Sequence, residues 1–351
     1  MDKVDGVKQK TQRIEYIDAM RGFAMLIVVL HHISLMCLGI DSVFEKWAYE
    51  FRMPLFFFIS GFVMYKPSQV WTINNIKLFL CSRLVNWILS PSLFFIVYVY
   101  VYNRNLLDSI ASPAKAGYWF TYVLFTYILI YLIFQYILEK TRLSVKVRDC
   151  LLLCLGVFVF FLVYVVSYFY LERNNFWMGL IGGGNLKYFI YFCIGVLSKK
   201  YQGYFERMLD TTNYVLICVS TYFLMNIFYI PINEIGPAFR LLFIFFSGMT
   251  GVLAIFAFFR RNQNYFASSR KMGRILQLFG RRSLEIYFLH YFFIPLQLGD
   301  AFSIFREYNL PIIEFVFSLI VSLMVIAVCL TIGAVLRTSP KLGRLLFGAQ
   351  G

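Results

Sequence analysis

Two ionisable side chains stand eleven residues apart in an otherwise apolar run: Arg21, in Asp18-Ala19-Met20-Arg21-Gly22, and His32, in the pair His31-His32. Ionisable groups inside apolar spans are expensive, so they are the first candidates for chemistry. On an α-helix, eleven steps of about 100° bring His32 back to within about 20° of the face of Arg21, about 16 Å along the axis. One stripe therefore carries a cation at one end and an imidazole at the other, and His31 is rotated about 100° away from it. A ligand that bridges both is long and anionic at one end. A neutral imidazole at its far end could take a proton from an attacking hydroxyl or carry a group transiently. A simple hydrogen bond to a neighbouring helix is the plainer use of an intramembrane histidine, but it leaves the aligned arginine without a role.

Other candidates are weaker. In Phe51-Arg52-Met53-Pro54-Leu55-Phe56-Phe57-Phe58-Ile59-Ser60-Gly61-Phe62, Glu50 and Arg52 fall at the depth of His32 if the first two spans form a hairpin, where they could orient an acceptor. An interfacial Arg–Glu pair is more often structural. Ser60 lacks a base, so helix packing at Ser60-Gly61 competes with any substrate role. His290, with Tyr287 one turn earlier, could line the same channel or make a His–Tyr helix contact. Three histidines without His-x-x-x-His or Glu-x-x-His spacing leave a zinc or di-iron site short of ligands, so no metal is expected. Gly182-Gly183-Gly184 reads as a loop turn, not a phosphate cradle.

The elements that must position these residues are membrane helices. Of 351 residues, 60% are hydrophobic and only 15% charged, which is too apolar for a soluble protein. The apolar runs continue without period-two polarity, which argues against a β-barrel. The sequence predicts an all-α polytopic bundle of about ten transmembrane helices, near 19–38, 47–65, 79–102, 118–138, 150–171, 186–198, 213–230, 238–259, 283–298 and 310–336. The sixth and ninth are short. A net charge of +15 would suggest nucleic acid in a soluble protein, but here its distribution is topological. With both termini cytoplasmic, only Lys46, Arg52, Arg104, Lys115, Arg173, Lys187, Arg240 and Arg306 fall outside, so no nucleic-acid partner is expected. The first span should remain as an anchor instead of being cleaved as a signal peptide. The organisation is then a cytoplasmic segment 1–18, a membrane domain 19–336 and a cytoplasmic tail 337–351. The longest loop, about 260–282, is strongly basic and too short to build a core.

Taken together, Asp18-x-x-Arg21-Gly22, the Arg21-x10-His32 spacing, the Arg52 to Phe62 stretch, Trp119-Phe120 with Leu124-Phe125 and Tyr127, and Ser283-Leu284-x-Ile286-Tyr287-x-x-His290 resemble the acyltransferase-3 family of integral membrane acyltransferases. The resemblance spans nearly the whole chain. It implies transfer of an acyl group, commonly acetyl, from acyl-CoA to a hydroxyl of a cell-surface polysaccharide or lipid-linked glycan, in a multi-pass protein of the plasma (bacterial inner) membrane. It places the family's essential Arg and His at Arg21 and His32. Donor binding then falls to Arg21 and Arg83, with His290 beside them, and acceptor binding to Arg52, Glu50 and Ser60. The partners it implies are acyl-CoA, the glycan or glycolipid acceptor, the bilayer and a separate extracytoplasmic protein if the chain does not complete the transfer itself. One departure stands out: where the family often has two arginines three apart, this chain has Arg83 and Asn86, so the phosphate site is either weaker or completed by another basic residue. A transporter or flippase of lipid-linked sugars would show similar spans with buried Arg and His, although the two halves lack the self-similarity of inverted repeats.

Overall fold

The structure is a computed structural model that describes residues 13–38, 43–67, 69–170, 183–227, 237–296 and 311–348. Residues 1–12 of the expected cytoplasmic segment, Gly182, residues 349–351 of the tail and the ends of several expected spans lie outside the described residues.

Every regular element among the described residues is helical. Apolar segments in lipid have no water to satisfy the main chain, and a helix satisfies it within one segment. The first helix, α1 (Glu15–Ile33), runs into a π turn at Ser34–Leu38. It is followed by α2 (Val43–Met64), α3 (Ile73–Leu84), a second π turn at Val85–Leu89, α4 (Ser90–Val101), α5 (Leu106–Ala111), α6 (Trp119–Glu139) and α7 (Val145–Tyr170). The second half holds α8 (Phe189–Lys200), α9 (Gln202–Asp210), α10 (Thr212–Ile227), α11 (Pro237–Arg261), α12 (Lys271–Arg281), α13 (Ser283–Phe293), α14 (Pro311–Thr338) and α15 (Pro340–Phe347).

Among the described residues six stretches are long and apolar enough to cross a membrane: Glu15–Cys37, Ile73–Val101, Trp119–Glu139, Val145–Val166, Leu241–Arg261 and Ile312–Thr338. Their outward surfaces carry large apolar side chains such as Phe158 and Met324, as a lipid-facing surface requires. The other four expected spans coincide with α2, α8, α10 and α13, which are shorter or, in α2, carry Glu50 and Arg52.

Helix α1 is the axis of the bundle, in contact with α2, α11, α12, α13 and α14. Its closest neighbour is α12, because Gly22 and Gly280 let the two main chains meet: a Cβ on either glycine would collide with the backbone of the other helix. Gly61 and Gly195 bring α2 and α8 together in the same way. Helix α12 falls where the sequence reads as a basic loop. Met272, Ile275, Leu276 and Phe279 keep the i, i+3, i+4, i+7 spacing of an amphipathic helix between the basic residues Lys271, Arg274 and Arg281, and Gly273, Leu276, Gln277, Phe279 and Gly280 are buried.

A buried carboxylate fixes the short α13. Glu285, 2% exposed, accepts from Arg282 NH1 at 2.9 Å and from Arg337 Nε at 2.7 Å, with a second contact from Arg337 NH2. The pairing joins the start of α13 to the end of α14, and Gly333 on α14 leaves the room that the Glu285 side chain occupies.

Candidate active site

A large cavity of about 1460 Å³ lies among the described helices, above the roughly 300–1,000 Å³ of common small-ligand pockets. Helix α1 contributes Arg21, Met25, Val28 and His32 to its wall, the residues of one stripe in the order of the turns. Four cations line it: Arg13, Arg21, Lys66 and Arg83. Arg13 and Asp18 are within electrostatic reach of Arg21. Much of the remaining lining is apolar, Phe56, Leu124 and Ile128 among it.

His32 is held from behind. Its Nε2 is 2.8 Å from the Tyr291 hydroxyl on α13, and its Nδ1 has no partner among the described residues. Tyr291 also lines the cavity. Its ring fills the space that a side chain at residue 117 would need, and Gly117 has φ +97, so glycine is required there by both conformation and space. Lys115 and Ala116 before it are also left-handed, at φ 43 and 50, and the three residues turn the chain into α6. Helix α13 pins that turn. The Tyr287 hydroxyl donates to the Gly117 carbonyl at 3.0 Å and accepts from the Phe120 N–H at 3.2 Å, while the Tyr118 hydroxyl donates to the Phe288 carbonyl at 2.9 Å.

The sequence-derived candidates separate into those in the wall and those behind it. Arg21, His32, Arg83 and Ser60 are in the wall. The Ser60 hydroxyl donates to the Phe56 carbonyl at 2.8 Å, one turn back on its own helix, which occupies its proton. His290 is fully buried behind His32 and Tyr291, with ring centroids 5.3 Å and 4.1 Å from theirs, and it is not among the cavity-lining residues. Its Nδ1–H donates to the Ile286 carbonyl at 2.9 Å, since a carbonyl can only accept. Arg52 is also behind the wall, 8% exposed, with its guanidinium 5.0 Å from the Tyr49 ring centre and within electrostatic reach of His32. Glu50 is outside the wall as well, near Tyr188 and Tyr222.

Residues that the sequence did not single out complete the wall. Arg13 and Lys66 are two additional cations beside Arg83, and Asn86 itself lines the cavity one turn from Arg83. Tyr291 and Thr121 lie at the His32 end through α13 and the first turn of α6. Among the described residues no group of three or more His, Cys, Asp or Glu could hold a metal ion. The arrangement offers cations for an anionic ligand, a largely apolar lining and a tethered imidazole with one free nitrogen. Such a set can move a proton between two groups brought together at His32.

Residues 14–332 match the family model described as an acyltransferase domain of the acyltransferase-3 type. No curated protein and no solved structure matches.

Proposed function

The chain belongs to the acyltransferase-3 family and is a membrane acyltransferase, and from that premise we propose that it moves an acetyl group from acetyl-CoA to a hydroxyl of a cell-surface polysaccharide or lipid-linked glycan. The observation that carries this reading is the shared cavity, in which Arg21 and His32 stand on one stripe about 16 Å apart. A nucleotide with a long thiol arm has that form: polyanionic at one end, uncharged and narrow along the arm, reactive at the other end.

In this reading Arg21 and Arg83 hold the phosphates, and Arg13 and Lys66 supply the charge that Asn86 does not. Guanidinium groups bind phosphate through parallel charge-assisted hydrogen bonds, and Lys66 adds a point charge. The thiol arm follows the apolar wall to His32. There, Nε2 is 2.8 Å from the Tyr291 hydroxyl, and the base role takes the tautomer in which Nε2–H donates to that hydroxyl and the Nδ1 lone pair takes the proton of the acceptor hydroxyl. The freed oxygen attacks the thioester carbon, the carbon–sulfur bond breaks, and the leaving thiolate takes the proton back from His32. General-base assistance of this kind is worth about 10²–10⁴-fold in rate. Tyr291 is then a positioning residue, because its hydrogen bond to Nε2 holds the ring in place. Arg52 acts from behind the wall on His32, and acceptor contacts fall to Ser60 and the aromatic wall at Trp119. The acceptor side faces outward, in a plasma membrane with both termini cytoplasmic.

The test is acyl transfer by the full chain in lipid nanodiscs, with labelled acetyl-CoA and a cell-surface glycan extract, for the wild type and His32→Ala. The expected result is transfer by the wild type and a loss of at least about 10²-fold in the variant. Undiminished transfer by His32→Ala would remove the base from the scheme. Movement of labelled glycolipid across the bilayer with no acyl transfer would favour a flippase instead.

A further inference from the structure

The reading above supplies a base and an anion site but nothing to stabilise the thioester oxygen, which becomes negatively charged when the acceptor adds. We propose that the Thr121 hydroxyl donates a hydrogen bond to that oxygen. This rests on the acyl-transfer reading.

The signal is a hydroxyl without a partner. Helical Ser and Thr side chains in this protein regularly donate to the carbonyl four residues back: Ser60 to Phe56, Thr126 to Tyr122, Thr250 to Phe246, Ser322 to Ser318 and Thr331 to Ala327. Thr121, 1% exposed, does not, and its Oγ1 has no hydrogen-bond partner among the described residues. Four residues back is Gly117. Its carbonyl already accepts from the Tyr287 hydroxyl, and its φ of +97 takes it off the helical path. The turn that builds the site is thus also what leaves Thr121 unoccupied. A buried hydroxyl without a partner is destabilising, and native proteins hold few of them.

Its place suits the role. Thr121 lines the same cavity as His32 and Tyr291, in the first turn of α6. One turn before it, the Gly117 backbone touches the Tyr291 ring, and Tyr291 in turn bonds His32. The positive end of the α6 dipole is at the same turn and favours charge on an oxygen placed there. A neutral donor aimed where charge develops acts on the transition state more than on the ground state. In the step itself, the acceptor O–H proton moves to His32 and the oxygen–carbon bond forms. The carbonyl π pair moves onto its oxygen, which accepts from Thr121. On collapse the π bond returns, the carbon–sulfur bond breaks, and the thiolate takes the proton from His32. Thr121 keeps its own proton throughout.

The test compares wild type, Thr121→Val, Thr121→Ser and His32→Ala as full chains in nanodiscs, with labelled acetyl-CoA and the glycan extract. Thr121→Val keeps shape and removes the hydroxyl. Its kcat should fall by about 10–10²-fold with donor KM within about twofold, and its thermal midpoint should hold or rise, because an unpartnered polar group has gone. Thr121→Ser should keep most of the rate. A wild-type kcat in Thr121→Val overturns the proposal, as does a Thr121→Ser variant equally impaired, or a rate loss that comes with a lower thermal midpoint. If His32→Ala is inert while Thr121→Val is fully active, the base stands and this inference alone fails. If His32→Ala is active and Thr121→Val is not, the base fails and the oxygen contact stands. Absence of any acyl transfer by the wild type overturns both.

Discussion

Replacing Gly22 by alanine tests how tightly the site depends on the crossing of α1 and α12. A methyl group there would stand 2.8 Å from the Leu276 carbonyl carbon and 2.9 Å from the Gly280 amide nitrogen. Non-bonded carbon contacts settle near ~3.5–4.0 Å, so the axes must part by about 1 Å. Both obstacles are main chain, and no side-chain rotation relieves them. Overpacking of this kind costs typically ~1–3 kcal/mol, and the rigid partner puts Gly22→Ala at the upper end. For a chain of this size that is a fall of roughly 3–6 °C in thermal midpoint. Arg21 is the neighbouring residue and moves with the turn, so donor affinity should fall as well. The assay is thermal unfolding and acetyl-CoA binding of the nanodisc-held protein. Gly203→Ala is the control: nothing lies within 4 Å of its added Cβ, and alanine for glycine in an open helix should stabilise by up to about 1 kcal/mol. A Gly22→Ala protein with wild-type midpoint and donor affinity would refute the crossing as the element that fixes Arg21.

Three additional outcomes are expected. Tyr291→Phe should lower kcat by about tenfold with donor KM unchanged, read from steady-state acyl transfer, since it removes one hydrogen bond to the base. Arg83→Gln should raise the donor dissociation constant by about tenfold, and added salt should narrow the gap between variant and wild type, as expected for a lost phosphate contact. Glu285→Gln should destabilise by about 1–3 kcal/mol in thermal or denaturant unfolding, because it leaves two half-buried arginines without their carboxylate. The double change Glu285→Leu with Arg337→Leu should recover part of that loss.

The stripe from Arg21 to His32 was legible because it depends on helix periodicity alone, and the two residues line one cavity. The long apolar spans were legible for the same reason, since length against bilayer thickness needs no tertiary information. What escaped depends on packing between distant segments. Arg13 and Lys66 read as topological charges until the fold brought them to one wall with Arg83. His290 carries the stronger chemical signal, yet the neighbouring Tyr291, about 100° around the helix, is the one that reaches His32. Thr121 stands out only once the Gly117 carbonyl is known to be taken by Tyr287. Helix α12 carries a legible amphipathic period in Met272, Ile275, Leu276 and Phe279, but the basic residues around it made the stretch read as a loop, and its glycine contacts with α1 add no apolar signal.

The pairing of Glu285 with Arg337 also constrains the order of biogenesis. Helix α13 is 11 residues long, about 16 Å, half the thickness of the hydrocarbon core, and its carboxylate opposes partition into lipid. Arg337, one of the two arginines that neutralise it, is made 52 residues later. During synthesis, therefore, Glu285 has Arg282 as its partner but not the Arg337 contact until the last long helix has emerged. Tyr287 and Tyr291 are on α13 as well, so the helix that supports the turn into α6 and the imidazole of His32 is the one that waits for that contact. A nascent chain halted before residue 337 would already contain every side chain of the site and lack only the pairing that ties α13 to the end of α14.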